Sequence, residues 1–205
     1  MAQRSRSRGD GDSTASADGS LDAALARARA GDEAGFHVLW TTLQPRLLRY
    51  LRVKARDVAE DVAGETWLQV VRDLAAFEGD AQDFRAWLFT VARHRAIDAA
   101  RARRARPVVL MPDIPEVSRV HVVSAETQAL ERVSTAQALA LVASLPSEQA
   151  EMVALRVIAG LDVAAVALIV GKSPGAVRVS VHRALRALSY AVTATSRDEL
   201  SAEVV

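Results

Sequence analysis

LDVAAVALIVGKSPGAVRVSVHRALRAL, residues 161–188, is the stretch whose reading decides the fold. Its apolar first half runs to Val170 and stops at Gly171, a residue that takes the left-handed conformation at little cost. Ser173 then offers a side-chain N-cap, and Pro174 falls at the first helical position, where its missing N–H is no loss. The spacing predicts a helix, a tight turn and a second helix. On that second helix Val177, Val181, Ala184, Leu185 and Leu188 make one apolar stripe, and Ala167 on the first is small enough for a close crossing. The opposite face carries Arg178, Val179, His182, Arg183 and Arg186, with Lys172 and Ser173 in the turn. No acid occurs between Gly171 and Tyr190. A buried stripe backed by a basic face is what a helix lying in the major groove of DNA requires. An ordinary helical hairpin with a solvated basic face meets the same local pattern, so the rest of the chain must discriminate.

Upstream, SLPSEQAEMVALRVIAGL (144–161) supplies two helical segments divided by Pro146, the support for this unit. The run from Met152 to Val170 is long enough to span a bilayer, but Arg156 and Asp162 lie inside it. Each would cost roughly 2.5–3.5 kcal/mol near a membrane centre. Buried helices of a water-soluble domain are expected instead, with no direct membrane insertion.

The composition agrees with an all-α protein. Half of the 205 residues are hydrophobic and only 4% are aromatic, and the abundant alanine and leucine favour helix. The length suits two small domains. There is no cysteine, which excludes disulfides and thiolate metal sites and fits a reducing, cytoplasmic setting. Residues 1–20 are polar and Gly/Ser-rich, and are expected to form a disordered arm. Pro107, Pro112 and Pro115 mark residues 107–124 as a flexible linker between helical domains over 21–106 and 125–192, with Ser124 as an N-cap. Residues 193–205 read as a polar tail.

A formal net charge of +1 conceals strong patterning. From Ala55 to Phe84 there are eight acids against Arg56 and Arg72, whereas from Arg85 to Arg106 there are seven arginines against Asp98. An acidic block followed by a basic block suggests two different partners on one domain. The helix over 84–106 has two faces: Phe84, Trp87, Leu88 and Val91 anchor it, while Arg93, Ile97, Arg101 and Arg104 follow on the other side.

Four motifs, AEDVAGETWLQV (59–70), FRAWLFTVARHRAID (84–98), SLPSEQAEMVALR (144–156) and the helix-turn-helix over 160–188, occur in one order across nearly all of residues 21–190. In this the chain resembles the bacterial RNA polymerase sigma factors of the extracytoplasmic-function (ECF) branch. The resemblance implies a region-two helical bundle and a region-four helix-turn-helix domain, without the long middle domain of primary sigma factors. It implies that the partners are core RNA polymerase (its β′ coiled coil and β flap), promoter DNA and an anti-sigma factor. By the same resemblance Asp57, Glu60, Asp61, Glu65, Thr66 and Gln69 dock on polymerase. Glu78, Gly79, Asp80 and Gln82, in the loop FEGDAQDF (77–84), would join Arg93, Ile97, Arg101 and Arg104 at the minus-ten element, where a base is flipped from the nontemplate strand. Lys172, Ser173, Arg178, His182, Arg183 and Arg186 would bind the minus-thirty-five element. Gly64 departs from the glutamine commonly found there.

A polymerase-independent helix-turn-helix regulator is the alternative, but it leaves the acidic block without a purpose. Catalysis is not expected. His37, His94, His121 and His182 are scattered, and none belongs to a recognisable metal or catalytic motif. No cofactor, metal or small-molecule substrate is anticipated, and His94 is expected to pair with Asp98 four residues on.

Overall fold

The computed structural model describes residues 11–105 and 135–202, and every regular element among them is helical. The first unit comprises α1 (Gly11–Arg29), α2 (Glu33–Lys54), α3 (Ala59–Asp73) and α4 (Ala81–Ala105). Leu21, Ala24, Leu25 and Ala28 recur at helical spacing and are buried, which pins α1 to α2. The two helices cross at Gly35, where an added Cβ would stand 2.7 Å from the Ala28 backbone nitrogen and 2.8 Å from the Ala24 carbonyl oxygen. Asp32 caps α2, accepting from the Ala34 N–H at 2.8 Å, and takes a second bond from Arg27 Nε at 2.6 Å. The Arg27 bond, then the Ala34 bond, holds this carboxyl below its ordinary range.

α2 contributes Leu39, Leu43, Leu47, Tyr50 and Leu51 to the core, and Pro45 lies inside it without ending it. That proline removes one helical N–H, and the buried leucines on both sides hold the helix together. α3 adds Val62, Ala63, Trp67 and Val70, and α4 adds Phe84, Leu88, Phe89, Ala92 and Ala96. α1 starts at Gly11, so it occupies half of the stretch expected to be a disordered arm. The anchored turns from Leu21 onward nucleate the helix, and the residues before them need only propagate it. Residues 1–10 lie outside the described residues, as do the expected linker (107–124) and the Ser124 cap.

In the second unit α5 covers residues 135–143, and α6 (Ser147–Val153) passes into a π-helical turn, Ala154–Ile158. Then come α7 (Val163–Val170) and α8 (Pro174–Ala202). The long apolar run is thus broken by the π turn, by Gly160 at φ 72° and by Asp162, whose side chain caps α7 through the Ala165 N–H at 2.7 Å. No single helix among the described residues is long and apolar enough to cross a membrane. Gly171 is left-handed, at φ 67° and ψ 37°, and Ser173 Oγ accepts from the Ala176 N–H at 3.2 Å, as its sequence requires. The two helices meet at 101°, within the range of helix-turn-helix units.

Val177 and Val181 share the apolar cluster with Val166 and Ala167, and Ala184 is buried as well. Leu185, expected in the same stripe, is 44% exposed. The eight residues of α7 and the short α6 cover only one edge of α8. α8 also continues to Ala202, through most of the stretch expected to be a polar tail, because neither Gly nor Pro follows Gly175 to stop it.

The buried residues of the two units form one continuous apolar cluster, with α2 packed against α6 and the π turn, and α4 against α7. Gly64 faces open space on α3. Gly64→Ala should therefore raise unfolding stability by about 1 kcal/mol, read from urea denaturation.

Candidate polymerase and nucleic-acid interfaces

The acidic face is built on α3 and the turn before it. Asp57 lies in the 3-10 turn Arg56–Val58 and pairs with Arg103 at 3.7 Å, while Glu60 pairs with Arg52 at 3.6 Å. Both pairs are exposed, where such contacts contribute little. Asp61 and Glu65 are exposed and follow each other by one turn.

Two of the expected docking residues are placed differently. Thr66 is fully buried, its hydroxyl donating to the Val62 carbonyl at 2.7 Å, because its position belongs to the α3 core stripe with Val62 and Val70. It cannot touch a partner from there. Gln69 is half-buried, donates to Asp73, and accepts from Arg95 at 2.8 Å. Leu68, which no motif singles out, is 61% exposed and lies on the face of Asp61 and Glu65. An exposed leucine rimmed by acids is a feature of protein interfaces. Its signal in the sequence was an apolar residue outside the core stripe.

The loop before α4 is tightly organised. Asp80 Oδ1 accepts from the N–H groups of Gln82 (2.8 Å) and Asp83 (2.9 Å), and Asp83 Oδ2 accepts from the Asp80 N–H at 3.3 Å. This is a reciprocal capping box. Asp22 on α1 accepts from the Ala81 N–H at 2.6 Å. Gly79 has φ 138°, and a Cβ there would stand 2.8 Å from that of Asp83, so only glycine fits. Asp80 and Gly79 therefore shape the loop, while Glu78 and Gln82 project outward as exposed side chains. Trp87, expected to be part of the anchor stripe, is only half-buried and stacks on Phe77 with centroids 5.1 Å apart. Anchoring falls instead to Phe84, Leu88 and Phe89, with Val91 half-buried.

The basic face of α4 does not point into solvent along its whole length. Arg101 and Arg104 are exposed, and Arg101 pairs with Asp98 at 3.6 Å, the acid expected to pair with His94. Ile97 is half-buried. Arg93 is turned onto Glu151 of α6, its Nε donating to Oε1 at 2.9 Å. Lys54 Nζ reaches the other oxygen at 2.7 Å, and the Tyr50 hydroxyl donates to Oε1 at 3.4 Å. Burial, and then the Glu151 charge, hold the Tyr50 phenol well above its ordinary range, so it remains a donor. Nothing local to Glu151 in the sequence announces its contacts with Tyr50, Lys54 and Arg93, which lie 58 to 101 residues away.

On α8, Arg178, His182, Arg183 and Arg186 are all exposed on the side away from Val177, Val181 and Ala184. Ser173 spends its oxygen on the cap, and Lys172 pairs with Glu148 at 3.0 Å. Among the described residues no cluster of His, Asp and Glu could hold a metal ion.

Two all-helical units, one with an acidic face and a basic helix and the other a helix-turn-helix, define a class of transcription proteins. Residues 39–106 match the family model for Sigma-70 region 2, and residues 135–188 match that for Sigma-70, region 4. The chain is 34% identical over 183 residues to the ECF RNA polymerase sigma factor SigD of Mycobacterium tuberculosis, covering 85% of this chain and 84% of that one. It is 37% identical to the ECF RNA polymerase sigma factor BldN of Streptomyces coelicolor, over 80% of this chain and 62% of that one. The chain belongs to the ECF RNA polymerase sigma factors. In fold it is similar to CnrH, solved with the cytosolic domain of CnrY (TM-score 0.57, 22% identity, 85% of this chain and 98% of that one). It is similar also to the sigma factor RpoE of Bartonella quintana, solved with the anti-sigma factor NepR (TM-score 0.54, 20% identity, 77% of this chain and 96% of that one).

The two kinds of loop residue can be told apart. Asp80→Ala should lower stability by about 1 kcal/mol through loss of the cap. Gln82→Ala should stay within about 0.5 kcal/mol of the parent, both by chemical denaturation.

Proposed function

We infer that this protein binds core RNA polymerase, directs it to particular promoters and helps open the DNA there. The observation that carries this reading is the pairing, on one chain, of an acidic and partly apolar α3 face with a recognition helix that carries no acid up to Tyr190. A regulator acting without polymerase would use only the second. Asp61, Glu65 and Leu68 are assigned to the polymerase contact, with Asp57, Glu60 and Gln69 at its rim. Exposed charges of this kind steer association more than they add affinity. Glu78 and Gln82 are assigned to the displaced strand, beside the Phe77–Trp87 stack on which a base could rest. Arg93, Ile97, Arg101 and Arg104 would hold its backbone.

Arg178, His182, Arg183 and Arg186 are assigned to the upstream duplex element, with Lys172 and Ser173 beside them at the turn. An anti-sigma factor, the kind of partner with which the Bartonella RpoE was solved, is assigned the task of covering these faces. The protein carries no catalytic step in this reading and works in the cytoplasm, where polymerase is.

Reconstituted transcription tests the inference: the purified chain with core polymerase should yield discrete start sites on genomic templates. Binding of duplex DNA by the chain alone, with no directed initiation, would favour the polymerase-independent regulator. Arg178→Ala should weaken the upstream contact by about 10-fold or more in footprints of the holoenzyme and leave polymerase affinity intact. Asp61→Lys with Glu65→Lys should lower polymerase affinity at least about 10-fold, measured by fluorescence anisotropy.

A further inference from the structure

The outward face of α8 is not uniformly basic. Val179 follows Val177 by two residues and precedes Val181 by two, and both of these are buried. On a helix it therefore points about 160° away from each of them. It stands in the middle of the face that looks out of the fold, and it is 50% exposed. His182 and Arg183 lie to either side of it one turn on, Arg178 lies toward the rim, and all three are exposed. At the head of the same face come Gly175 and Ala176, both small and exposed, and a Cβ added at Gly175 would meet nothing within 4 Å. No bulky side chain precedes Val179 there. At the other end Arg186 donates to the Tyr190 hydroxyl at 3.3 Å, which ties its guanidinium to the C-terminal side of the face. Valine has a lower helix propensity than alanine, and at this position it adds nothing to the core. Its branched side chain keeps essentially one rotamer in a helix, so its methyl groups are presented in a fixed direction.

We propose that Val179 reads a thymine: its methyl groups pack on the C5-methyl of one A·T pair in the upstream duplex element. This rests on the sigma-factor reading that lays α8 in the major groove of that element. Phosphates line the walls of the groove and base edges form its floor, so the middle of the outward face meets bases. The longer side chains around Val179 reach past it, to phosphates and to the guanine edges of neighbouring pairs. On the floor, the one apolar group in the recognition pattern is the thymine methyl. Valine can make no hydrogen bond. Set against a G·C pair it would cover the polar groups of that pair and leave them without partners, which weakens binding. Set against thymine it removes apolar surface from water on both sides. One side chain thus favours an A·T pair and disfavours a G·C pair at the same step.

Deoxyuridine differs from thymidine only by that methyl, so it probes the contact without altering base pairing. Holoenzyme is assembled from the full chain and core polymerase on a promoter recovered by reconstituted transcription. Each thymine of the upstream element, on either strand, is then replaced singly by deoxyuridine, and affinity is read by competition binding. One position should emerge at which uracil weakens the parent by about 4-fold. Val179→Ala, at an exposed site that leaves the core untouched, should bind the thymine promoter about 4-fold more weakly and lose its sensitivity to uracil at that position. Its preference for A·T over G·C there should fall as well. A parent with no uracil-sensitive position, or a uracil penalty that persists undiminished in Val179→Ala, would overturn the thymine contact. Directed initiation without a Val179-dependent uracil effect rejects that contact alone, whereas no directed initiation rejects the sigma reading beneath it.

Discussion

A single buried carboxylate sets how the two halves of this molecule meet. Glu151 is taken from water into an apolar seam, which is costly for any charge unless the surroundings return hydrogen bonds and opposite charge. Lys54, Arg93 and Tyr50 do so at 2.7, 2.9 and 3.4 Å. Buried ion pairs of this kind add little net stability against an apolar substitute, but they penalise every misaligned arrangement in which one charge is left alone. The apolar cluster that runs through both units supplies the attraction. The carboxylate supplies the register. The seating of the Arg93 side chain follows from it.

The surfaces assigned to partners are held by a second kind of economy, in which polar side chains satisfy helix ends. Asp32, Asp80, Asp162 and Ser173 each accept from N–H groups at the start of a helix. Two of these caps, Asp80 and Ser173, lie inside motifs that would otherwise be read as nucleic-acid contacts. Their oxygens are engaged in the caps, so they fix the backbone from which the neighbouring side chains project. Gln82 and Arg178 are positioned in this way, the first by the box at the head of α4 and the second by the turn at the head of α8.

Helix-turn-helix geometry was legible in the sequence because its determinants are local. Gly171, Ser173 and Pro174 act through their own backbone preferences, and Val177, Val181 and Ala184 through simple helical spacing. The acidic and basic blocks were legible for the same reason. What could not be read were facts that depend on which way a helix is rotated or on what lies beside it. Thr66 looked like a surface residue in an acidic motif until the core stripe of α3 claimed it. Leu185 looked buried, but α7 is too short to reach it. Asp98 has His94 one turn before it and Arg101 one turn after it, and the guanidinium took the pair.

The sequence by itself determined an all-helical chain, the break between α7 and α8, the basic face of the recognition helix and the order of motifs that marks the family. Each of these follows from interactions spanning four residues or fewer, or from charges counted along the chain. Only the tertiary structure decided that Arg93 faces Glu151, that Leu68 joins the acidic face and that α4 packs against α7 of the second unit. Those outcomes join residues dozens of positions apart, and no local preference encodes them. They arise because two apolar faces seek each other and the one buried charge between them accepts a single alignment.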